Sequence, residues 1–323
     1  MRNAARLYWS AFIGLFNGVC TGRLPVITNE FLTGYDSNSK ETTKTAPLRV
    51  VTFNIWLSGA KVSNGLVKIA KQISELNPDI IALQEVESDS MISNLSNGWA
   101  NHGLELGILA EIILILAYSL DTRFCKTNWW NYTSYGPYAA QNKMVTKAEQ
   151  IYKGEKTADG KAFSLDAEKK GHPLFVAGDF NCPSHQDWTE ETKHLHGDWV
   201  FEWPVTKLLT GIGMVDSFRQ LHPNVSEVPG YTWSTVQKSS GSEWDYSIPE
   251  PQDRLDFIFY KGSQNNIKPV KSFTYSGNAA DPLKAIPNQY ENNYPSDHFI
   301  VLTDFEFVVN KGLNLTGMNV VVG

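Results

Sequence analysis

The sequence predicts a layered α/β domain, in which helices pack against β-sheets. Three observations predict it: short apolar runs of the length of buried strands, an amphipathic segment between the first two runs, and a polar cluster at one end of each run. A strand, an amphipathic helix and a second strand form the usual beginning of a sheet-and-helix domain. With 323 residues, 42% of them hydrophobic, the chain can form one large domain or two small ones.

The first three elements are predicted between residues 48 and 85. Leu48–Asn54 is typical of a buried strand that ends on a polar residue. Apolar residues recur at helical spacing across Asn64–Asn77, and Pro78 ends the predicted helix. Ile80–Leu83 is predicted to be the second strand, followed at once by Gln84 and Glu85.

Later segments repeat this arrangement, and polar residues again flank the strands. Because strand ends at one edge of a sheet converge on a single crevice, we expect the five polar clusters to meet. The alternative for any one cluster is an ordinary polar turn. The remaining predicted elements are a helix over Ala139–Tyr152, a strand over Leu174–Ala177 followed by Gly178-Asp179-Phe180-Asn181, a strand over Leu255–Tyr260 preceded by Asp253-Arg254, and a strand over Ile300–Phe307 preceded by Ser296-Asp297-His298.

The amino terminus has the order of a secretory signal peptide. Arg2 and Arg6 precede Leu7–Cys20, a largely apolar stretch without charge, and small residues between Gly18 and Gly22 favour cleavage there. The alternative is a buried amphipathic start. We predict a signal peptide over residues 1–22, a flexible linker over 23–46, the folded domain over 47–309 and a carboxyl-terminal tail over 310–323.

Other features agree with a secreted or lumenal, extracellular glycoprotein. The net charge is −6 and becomes −8 when the two arginines leave with the signal, so the sequence has no strong basic patch for nucleic acid. The apolar stretch Leu104–Tyr118 is shorter than the roughly 20 residues of a spanning helix, so we predict core and no transmembrane segment. Cys125 and Cys182 remain after cleavage and are a possible pair. Asn-x-Ser/Thr triplets occur at Asn94, Asn131, Asn224 and Asn314.

The polar clusters contain the groups that metal-assisted cleavage of a phosphoester needs. Glu85 and Asp297 offer charged oxygens and Asn54 a neutral one, the hard ligands that Mg²⁺ or Mn²⁺ prefers. A zinc site is disfavoured, because the chain has neither a His-Glu-x-x-His motif nor paired cysteines. We therefore predict Asn54, Glu85 and Asp297 as metal ligands.

Proton transfer and phosphate binding are assigned to the other residues. Asp179 and Asn181 share one face of an extended strand, where Asp179 can take a proton from water and Asn181 can bind a phosphate oxygen. His298 is the candidate acid-base or phosphate-contacting group, oriented by Asp256 as first choice or by Asp253 as second. The predicted catalytic residues are Asp179, Asn181, Asp256 and His298, and the predicted substrate-binding residues are Asn181 and His298.

Five short motifs, in this order, resemble those of the endonuclease/exonuclease/phosphatase (DNase I-like) superfamily. The resemblance implies a four-layered α/β sandwich of two mostly antiparallel sheets flanked by helices. It also implies Mg²⁺-dependent hydrolysis of a phosphodiester or phosphomonoester, with the residue roles given above. The motifs are Thr52-Phe53-Asn54, Leu83-Gln84-Glu85-Val86, Gly178-Asp179-Phe180-Asn181, Asp253-Arg254-Leu255-Asp256-Phe257-Ile258 and Ser296-Asp297-His298.

The chain departs from this family in two places. Relatives usually carry a His-Leu pair, often within Asn-Thr-His-Leu-Asp, where this chain reads Asn131-Tyr132-Thr133-Ser134. The interval from Glu85 to Asn131 is short for the strands of the first sheet, which is expected to be incomplete, with Leu106–Ser119 as the remnant of one strand. Ala110-Glu111 stands there in place of a Ser-Arg step. These losses leave open an alternative: a catalytically impaired member that binds a ligand or partner.

The substrate class stays open among a nucleic acid, a sphingolipid and a small phosphodiester, and we expect a monomer. Five tryptophans are candidates for a lipid-facing or base-stacking rim, although at least half are expected to be core or loop anchors. A secreted nuclease-like or sphingomyelinase-like enzyme is the resulting hypothesis. The five are Trp188, Trp199, Trp203, Trp233 and Trp244.

Overall fold

Two β-sheets, stacked face to face, form the centre of the computed structural model, which describes residues 44–86, 113–117, 173–242, 245–262 and 266–309. The first sheet has the order β2-β1-β8-β7, with β1 at Lys44–Asn54, β2 at Ile80–Gln84, β7 at Ile267–Tyr275 and β8 at Ile300–Val309. The second has the order β3-β4-β6-β5, with β3 at Ile113–Ala117, β4 at Leu174–Asp179, β5 at Val215–Asp216 and β6 at Asp256–Lys261.

Within the described ranges, three regular helices lie outside the sheets: α1 over Gly65–Leu76, α2 over Pro204–Gly211 and α3 over Ser217–Leu221. A short irregular helical turn, Trp56–Gly59, follows β1. Helix α1 is flanked by Asn64 and Asn77, both in the left-handed conformation that asparagine tolerates better than most residues. The helix predicted over Asn64–Asn77 is therefore confirmed, with the two asparagines as its caps. Single 3₁₀ turns occur at Lys193–Leu195 and Gln289–Glu291.

Side-chain alternation along the strands produces three apolar layers. Val50 and Ala82 of the first sheet face Phe175 and Ile258 of the second, and these residues belong to the core between the sheets. The alternate residues, such as Phe53, face outwards and pack with α1. On the far side of the second sheet, Val176, Phe257 and Phe259 pack with Trp188, Trp203 and the apolar residues Val205 and Leu209 of α2. The predicted four-layered α/β sandwich is confirmed.

Each sheet has one parallel pair and two antiparallel pairs among the described strands. Strands β1 and β2 run parallel, so Asn54 and Gln84 are register partners at their carboxyl ends. Strand β8 runs antiparallel to β1, which brings its amino end to the same edge. In the second sheet Asp179 at the end of β4 pairs with Asp256 at the start of β6. The topology thus gathers all five polar clusters at one end of the sandwich.

Two boundaries differ from the sequence prediction. Strand β1 begins at Lys44, within the segment predicted as linker, because its first residues pair with the end of β8. Strand β3 falls within Leu106–Ser119, but it pairs with β4 and so belongs to the second sheet, which corrects its expected place in the first sheet.

Several predictions fall outside the described residues. These are the helix over Ala139–Tyr152, the Asn131–Ser134 segment, the Ala110-Glu111 step, Cys125, Trp244 and the completeness of the first sheet. Within the described ranges, no helix is both long and apolar enough to cross a membrane.

Candidate functional site

The structure brings all seven predicted site residues to one end of the sandwich. Asn54, Asp179, Asp256 and His298 are buried, whereas Glu85, Asn181 and Asp297 are partly exposed at its surface. They come from both sheets: Asn54 and Glu85 end β1 and β2, Asp179 ends β4, Asp256 begins β6, and Asp297 and His298 precede β8. Four carboxylates and one imidazole therefore share this region.

The imidazole of His298 is oriented by Asp256. His298 Nδ1 donates to Asp256 Oδ2 at 2.9 Å, and both side chains are buried. Asp253, the second choice for this role, instead accepts a hydrogen bond from the Trp188 indole at 2.8 Å and lies 3.5 Å from His196. The structure thus favours Asp256 as the orienting carboxylate.

Asp179 is the centre of a second set of contacts. Its Oδ2 accepts from Asn54 Nδ2 at 2.9 Å and from Asn181 Nδ2 at 3.1 Å, and its Oδ1 accepts from the backbone amide of Asn181 at 2.7 Å. Asn181 reaches this position with a positive φ of 48°, which asparagine adopts more readily than most residues. His298 Nε2 lies 3.9 Å from Asp179 Oδ2. Asn54, Asp179, His298 and Asp256 therefore form a continuous buried chain.

Burial and neighbouring charges raise the pKa values of both Asp179 and His298. Burial disfavours the charged carboxylate and, despite the opposing charge of His298, raises the pKa of Asp179 to about 7. For His298, burial favours the neutral imidazole, but the charges of Asp256 and Asp179 outweigh it and raise the pKa to about 10. His298 is thus a cation at neutral pH in the metal-free protein, while Asp179 titrates near neutrality.

Glu85 is held by an unusual turn after β1. Trp56, Leu57 and Ser58 have φ values of 46°, 53° and 56°, a left-handed run that costs non-glycine residues roughly 1–2 kcal/mol each. The backbone amide of Leu57 donates to Glu85 Oε2 at 2.8 Å, and that of Trp56 donates to Asn54 Oδ1 at 3.0 Å. Two predicted metal ligands thus satisfy the amides of a strained segment.

Asp297 is coupled electrostatically to Glu85 and to the imidazole of His298. The Trp233 indole donates to Asp297 Oδ2 at 3.4 Å, whereas Oδ1 is buried and has no hydrogen-bond partner within the described ranges. Burial raises the pKa of Asp297; the charge of Glu85 raises it further, and the charge of His298 opposes the rise.

Comparison with known proteins agrees with this arrangement. The model of the Endonuclease/Exonuclease/phosphatase family matches residues 51–298, which span every candidate site residue. The chain belongs to this family. An uncharacterised protein of Caenorhabditis elegans is 45% identical over 294 residues, covering 81% of this chain and 92% of that protein.

Solved structures show weaker similarity to this family member. An endonuclease/exonuclease/phosphatase family protein from Bacteroides thetaiotaomicron has a TM-score of 0.45 at 13% identity, covering 82% of this chain and 100% of that chain. The human Nocturnin catalytic domain with bound sulfate has a TM-score of 0.42 at 17% identity, covering 82% and 98%. The family assignment rests on the family model and the nematode relative. Members of the family act on phosphate esters, as nucleases and phosphatases.

The arginine of the family-like Asp-Arg-Leu-Asp motif has a structural role in this chain. Arg254 is buried and binds Asp187 through Nε at 2.8 Å and Asp216 through Nη2 at 2.7 Å. Arg219 also forms an ion pair with Asp187, at 3.0 Å. These contacts fix the start of β6, and hence Asp256, against the loop that follows β4.

Three residues support the site but are not among the predicted site residues, since nothing in their spacing marks them. Thr232 Oγ1 accepts from the backbone amides of Leu255 and Asp256, at 2.8 and 3.0 Å. Trp233, which the sequence offers only as a rim tryptophan, donates to Asp297. Ser296, which was quoted only within the Ser-Asp-His motif, donates to the Asn54 carbonyl at 2.6 Å and accepts from the His298 amide at 3.0 Å.

The other described rim candidates fall into two groups. Trp188 and Trp203 are buried and stack edge-on with ring centroids 5.1 Å apart, so they are core anchors. Trp199 is exposed, and Trp233 is half-buried beside Asp297. Cys182 is buried in the outer core of the second sheet, so its pairing with Cys125 stays a prediction.

Proposed function

We propose that this chain is a divalent-cation-dependent phosphoesterase that hydrolyses a phosphodiester or phosphomonoester bond, with Mg²⁺ as its cation and Mn²⁺ as the alternative. The observation that carries the proposal is the buried chain Asp256–His298–Asp179–Asn54, assembled from four different strand ends. Such convergence of an oriented imidazole with a carboxylate of raised pKa is typical of catalytic sites.

Glu85 and Asp297 are the residues that would hold the cation, with Asn54 beside them. Asp297 Oδ1 is a buried carboxylate oxygen without a hydrogen-bond partner in the described part of the chain, which fits a hard cation. The side-chain oxygen of Asn54, Oδ1, accepts one hydrogen bond, from the Trp56 amide, and keeps a second lone pair. A cation bound there would supply charge neutralisation for the phosphate oxygens and the leaving oxygen.

A different set of groups, Asp179, Asp256 and His298, also has the spacing of a metal site, with one potential ligand atom each within 4.8 Å of the others. Their hydrogen bonds favour a different role. His298 Nδ1 is committed to Asp256, and both oxygens of Asp179 accept hydrogen bonds from asparagines. A protonated imidazole also repels a cation, so we assign these three residues to phosphate binding and proton transfer.

In the proposed reaction, a water molecule attacks phosphorus and Asp179 accepts its proton. A carboxylate with a pKa of about 7 is well matched to this task near neutral pH. Its hydrogen bonds from Asn54 and Asn181 fix the direction from which the water approaches. The new P–O bond forms as the ester P–O bond breaks, and the departing oxygen takes a proton from solvent.

His298 and Asn181 bind the scissile phosphate. The His298 Nε2–H, fixed by the bond from Nδ1 to Asp256, donates to a phosphate oxygen whose charge grows during attack. Asn181 is partly exposed, and its side-chain NH₂ group, which donates one hydrogen to Asp179, has a second hydrogen for the phosphate. The net negative charge of the chain argues against tight non-specific binding to nucleic acid, since that affinity comes mainly from lysine and arginine.

A substrate panel tests this proposal. Purified protein would be assayed on a chromogenic phosphodiester, DNA and sphingomyelin vesicles, each with Mg²⁺ and with EDTA. We expect hydrolysis of at least one substrate that depends on Mg²⁺. Preference for DNA would indicate a nuclease-like enzyme, and preference for vesicles a sphingomyelinase-like one. No hydrolysis of any substrate would contradict the catalytic proposal.

The second candidate is a catalytically impaired binding protein, favoured by the absence of a His-Leu pair at Asn131–Ser134. Insertion of Thr-His-Leu-Asp after Asn131 separates the two functions. A large gain in rate on an otherwise inactive chain would support impairment by this deletion. A wild-type chain with high activity, unchanged by insertion, would contradict it.

We also propose that the protein is secreted and glycosylated and acts as a monomer. Asn224, in one of the four Asn-x-Ser/Thr triplets, is exposed, as an acceptor must be. Expression in secreting eukaryotic cells should yield protein in the medium whose mass falls on treatment with an N-glycosidase. Retention inside the cell with an unprocessed amino terminus would contradict the secreted location.

A further inference from the structure

Residues 232–235, which belong to none of the site motifs, run antiparallel to Ser296–Phe299 and are hydrogen-bonded to that segment. The Thr235 hydroxyl donates to the Ser296 carbonyl at 2.7 Å, and the Phe299 amide donates to the Thr232 carbonyl at 2.7 Å. Between these two bonds, the Asp297 carbonyl accepts from the Thr235 amide at 2.8 Å and from the Ser234 hydroxyl at 3.0 Å. The backbone of Asp297 is therefore held on both sides.

The same segment also controls the side chain of Asp297. Trp233 has its own backbone locked by two hydrogen bonds with Asp253, each 3.0 Å long. From this fixed backbone its indole Nε1 donates to Asp297 Oδ2 at 3.4 Å. Since Oδ2 has this donor and Oδ1 has none within the described residues, the two oxygens of one carboxylate are in different environments.

Glu85 shows the same division between its two oxygens. The Leu57 amide donates to Oε2 at 2.8 Å, and Oε1 accepts no hydrogen bond from the residues that the structure describes. An N–H donor on one oxygen fixes the rotation of a carboxylate and leaves the other oxygen for a cation, and such supporting contacts typically change metal affinity by about 10–100-fold.

We propose that Trp233 is a positioning residue for the cation: its indole N–H fixes Asp297 so that Oδ1 faces the bound ion. This inference rests on the proposed function, because it takes Asp297 as a cation ligand. Trp233 itself is not a catalytic residue. Its indole contacts the carboxylate, and the carboxylate contacts the ion.

The chain offers a matched control for this role. Trp188 also donates its indole N–H to an aspartate, Asp253, at 2.8 Å, but Asp253 is not a proposed ligand. Trp188→Phe and Trp233→Phe therefore remove the same kind of hydrogen bond. Trp188→Phe leaves the main-chain bonds between Asp253 and Trp233 in place, whereas Trp233→Phe removes the donor to Asp297 Oδ2. Asp297→Asn removes the negative charge of the proposed cation ligand.

The experiment measures cation affinity directly, by electron paramagnetic resonance of free Mn²⁺ and by calorimetric titration of Mg²⁺. We expect the wild type to bind, Asp297→Asn to bind poorly, and Trp233→Phe to bind about 10–100-fold more weakly. Trp188→Phe should keep wild-type affinity and lose only thermal stability. Where Trp233→Phe does not fold, benzothienylalanine at position 233, which replaces the N–H by sulfur at nearly the same shape, serves instead.

The possible failures are distinguishable. If the wild type binds neither ion, or if Asp297→Asn binds as the wild type does, the proposed cation site is wrong. If these two proteins behave as expected but Trp233→Phe keeps wild-type affinity, the cation site stands and the role of Trp233 is wrong. A raised KM with unchanged cation affinity in Trp233→Phe would place the indole at the substrate and would also overturn the proposal.

Discussion

His298 Nδ1 and Asp256 Oδ2 are 2.9 Å apart, although the two residues are 42 positions apart in the chain: Asp256 begins β6 of the second sheet, and His298 precedes β8 of the first. This bond closes the gap between the sheets at the end where the polar clusters meet. It also determines which nitrogen of the imidazole faces Asp179, because Nδ1 is committed to Asp256 and only Nε2 remains.

Replacement of Asp256 by asparagine should lower kcat by about 10²–10⁴-fold, because the imidazole loses both its orientation and its charge partner. Asp253→Asn is the matched control, since Asp253 binds Trp188 and lies near His196 outside the buried chain. Kinetics on a chromogenic phosphodiester with Mg²⁺ check this. Equal losses of kcat in both variants would contradict the specific role of Asp256.

His298 should remain protonated at neutral pH in metal-free protein. Its pKa in the folded state, about 10, lies above the ordinary value of 6.5. The ion pair therefore contributes its full stabilisation below about pH 6.5 and loses it as the pH rises through about 10. Nitrogen-15 NMR of the imidazole, assigned with His298→Gln, measures this directly. A neutral imidazole at pH 7 would contradict the predicted ion pair between His298 and Asp256.

Glu85→Gln should weaken Mg²⁺ binding while leaving the fold intact, because glutamine keeps an acceptor for the Leu57 amide but loses the charge. Glu291→Gln serves as control, since Glu291 is exposed and, among the described residues, its side chain accepts a single long bond of 3.5 Å, from Ser63. Calorimetric titration should show a clear loss of affinity in the first variant alone. Similar affinities in both variants would remove Glu85 from the cation site.

Arg254→Met should destabilise the fold by about 3–5 kcal/mol, because it leaves the buried carboxylates of Asp187 and Asp216 without their shared partner. Urea denaturation measures the loss in the free energy of unfolding. Lys268→Met removes an exposed ion pair with Glu306 and should cost at most about 1 kcal/mol. A cost of similar size for Arg254→Met would show that its ion pairs contribute little.

Residues at regular strand ends could be predicted from the sequence, whereas their supports could not. Asp256 and His298 flank apolar runs, so strand periodicity already places them at sheet edges. Thr232 and Trp233 lie in an irregular segment, and their partners Asp256 and Asp297 are fixed only by tertiary packing. Neither residue therefore belongs to a periodic pattern that would predict its place in the site.

The turn at Trp56–Ser58 was unpredictable for another reason. Tryptophan, leucine and serine rarely adopt positive φ, so their local preferences argue against the conformation observed. It persists because the Asn54 and Glu85 side chains accept its amides. The choice between Asp256 and Asp253 likewise needed the structure, since both flank the same strand.

The role of Asp179 in a cation-dependent reaction is measured by the rate at which the wild type and Asp179→Asn hydrolyse a chromogenic phosphodiester with Mg²⁺. We expect a wild-type rate that disappears with EDTA and falls by about 10²–10⁴-fold in the variant, whose cation affinity is retained. A wild-type rate that is indifferent to EDTA, or that Asp179→Asn leaves unchanged, would contradict that role.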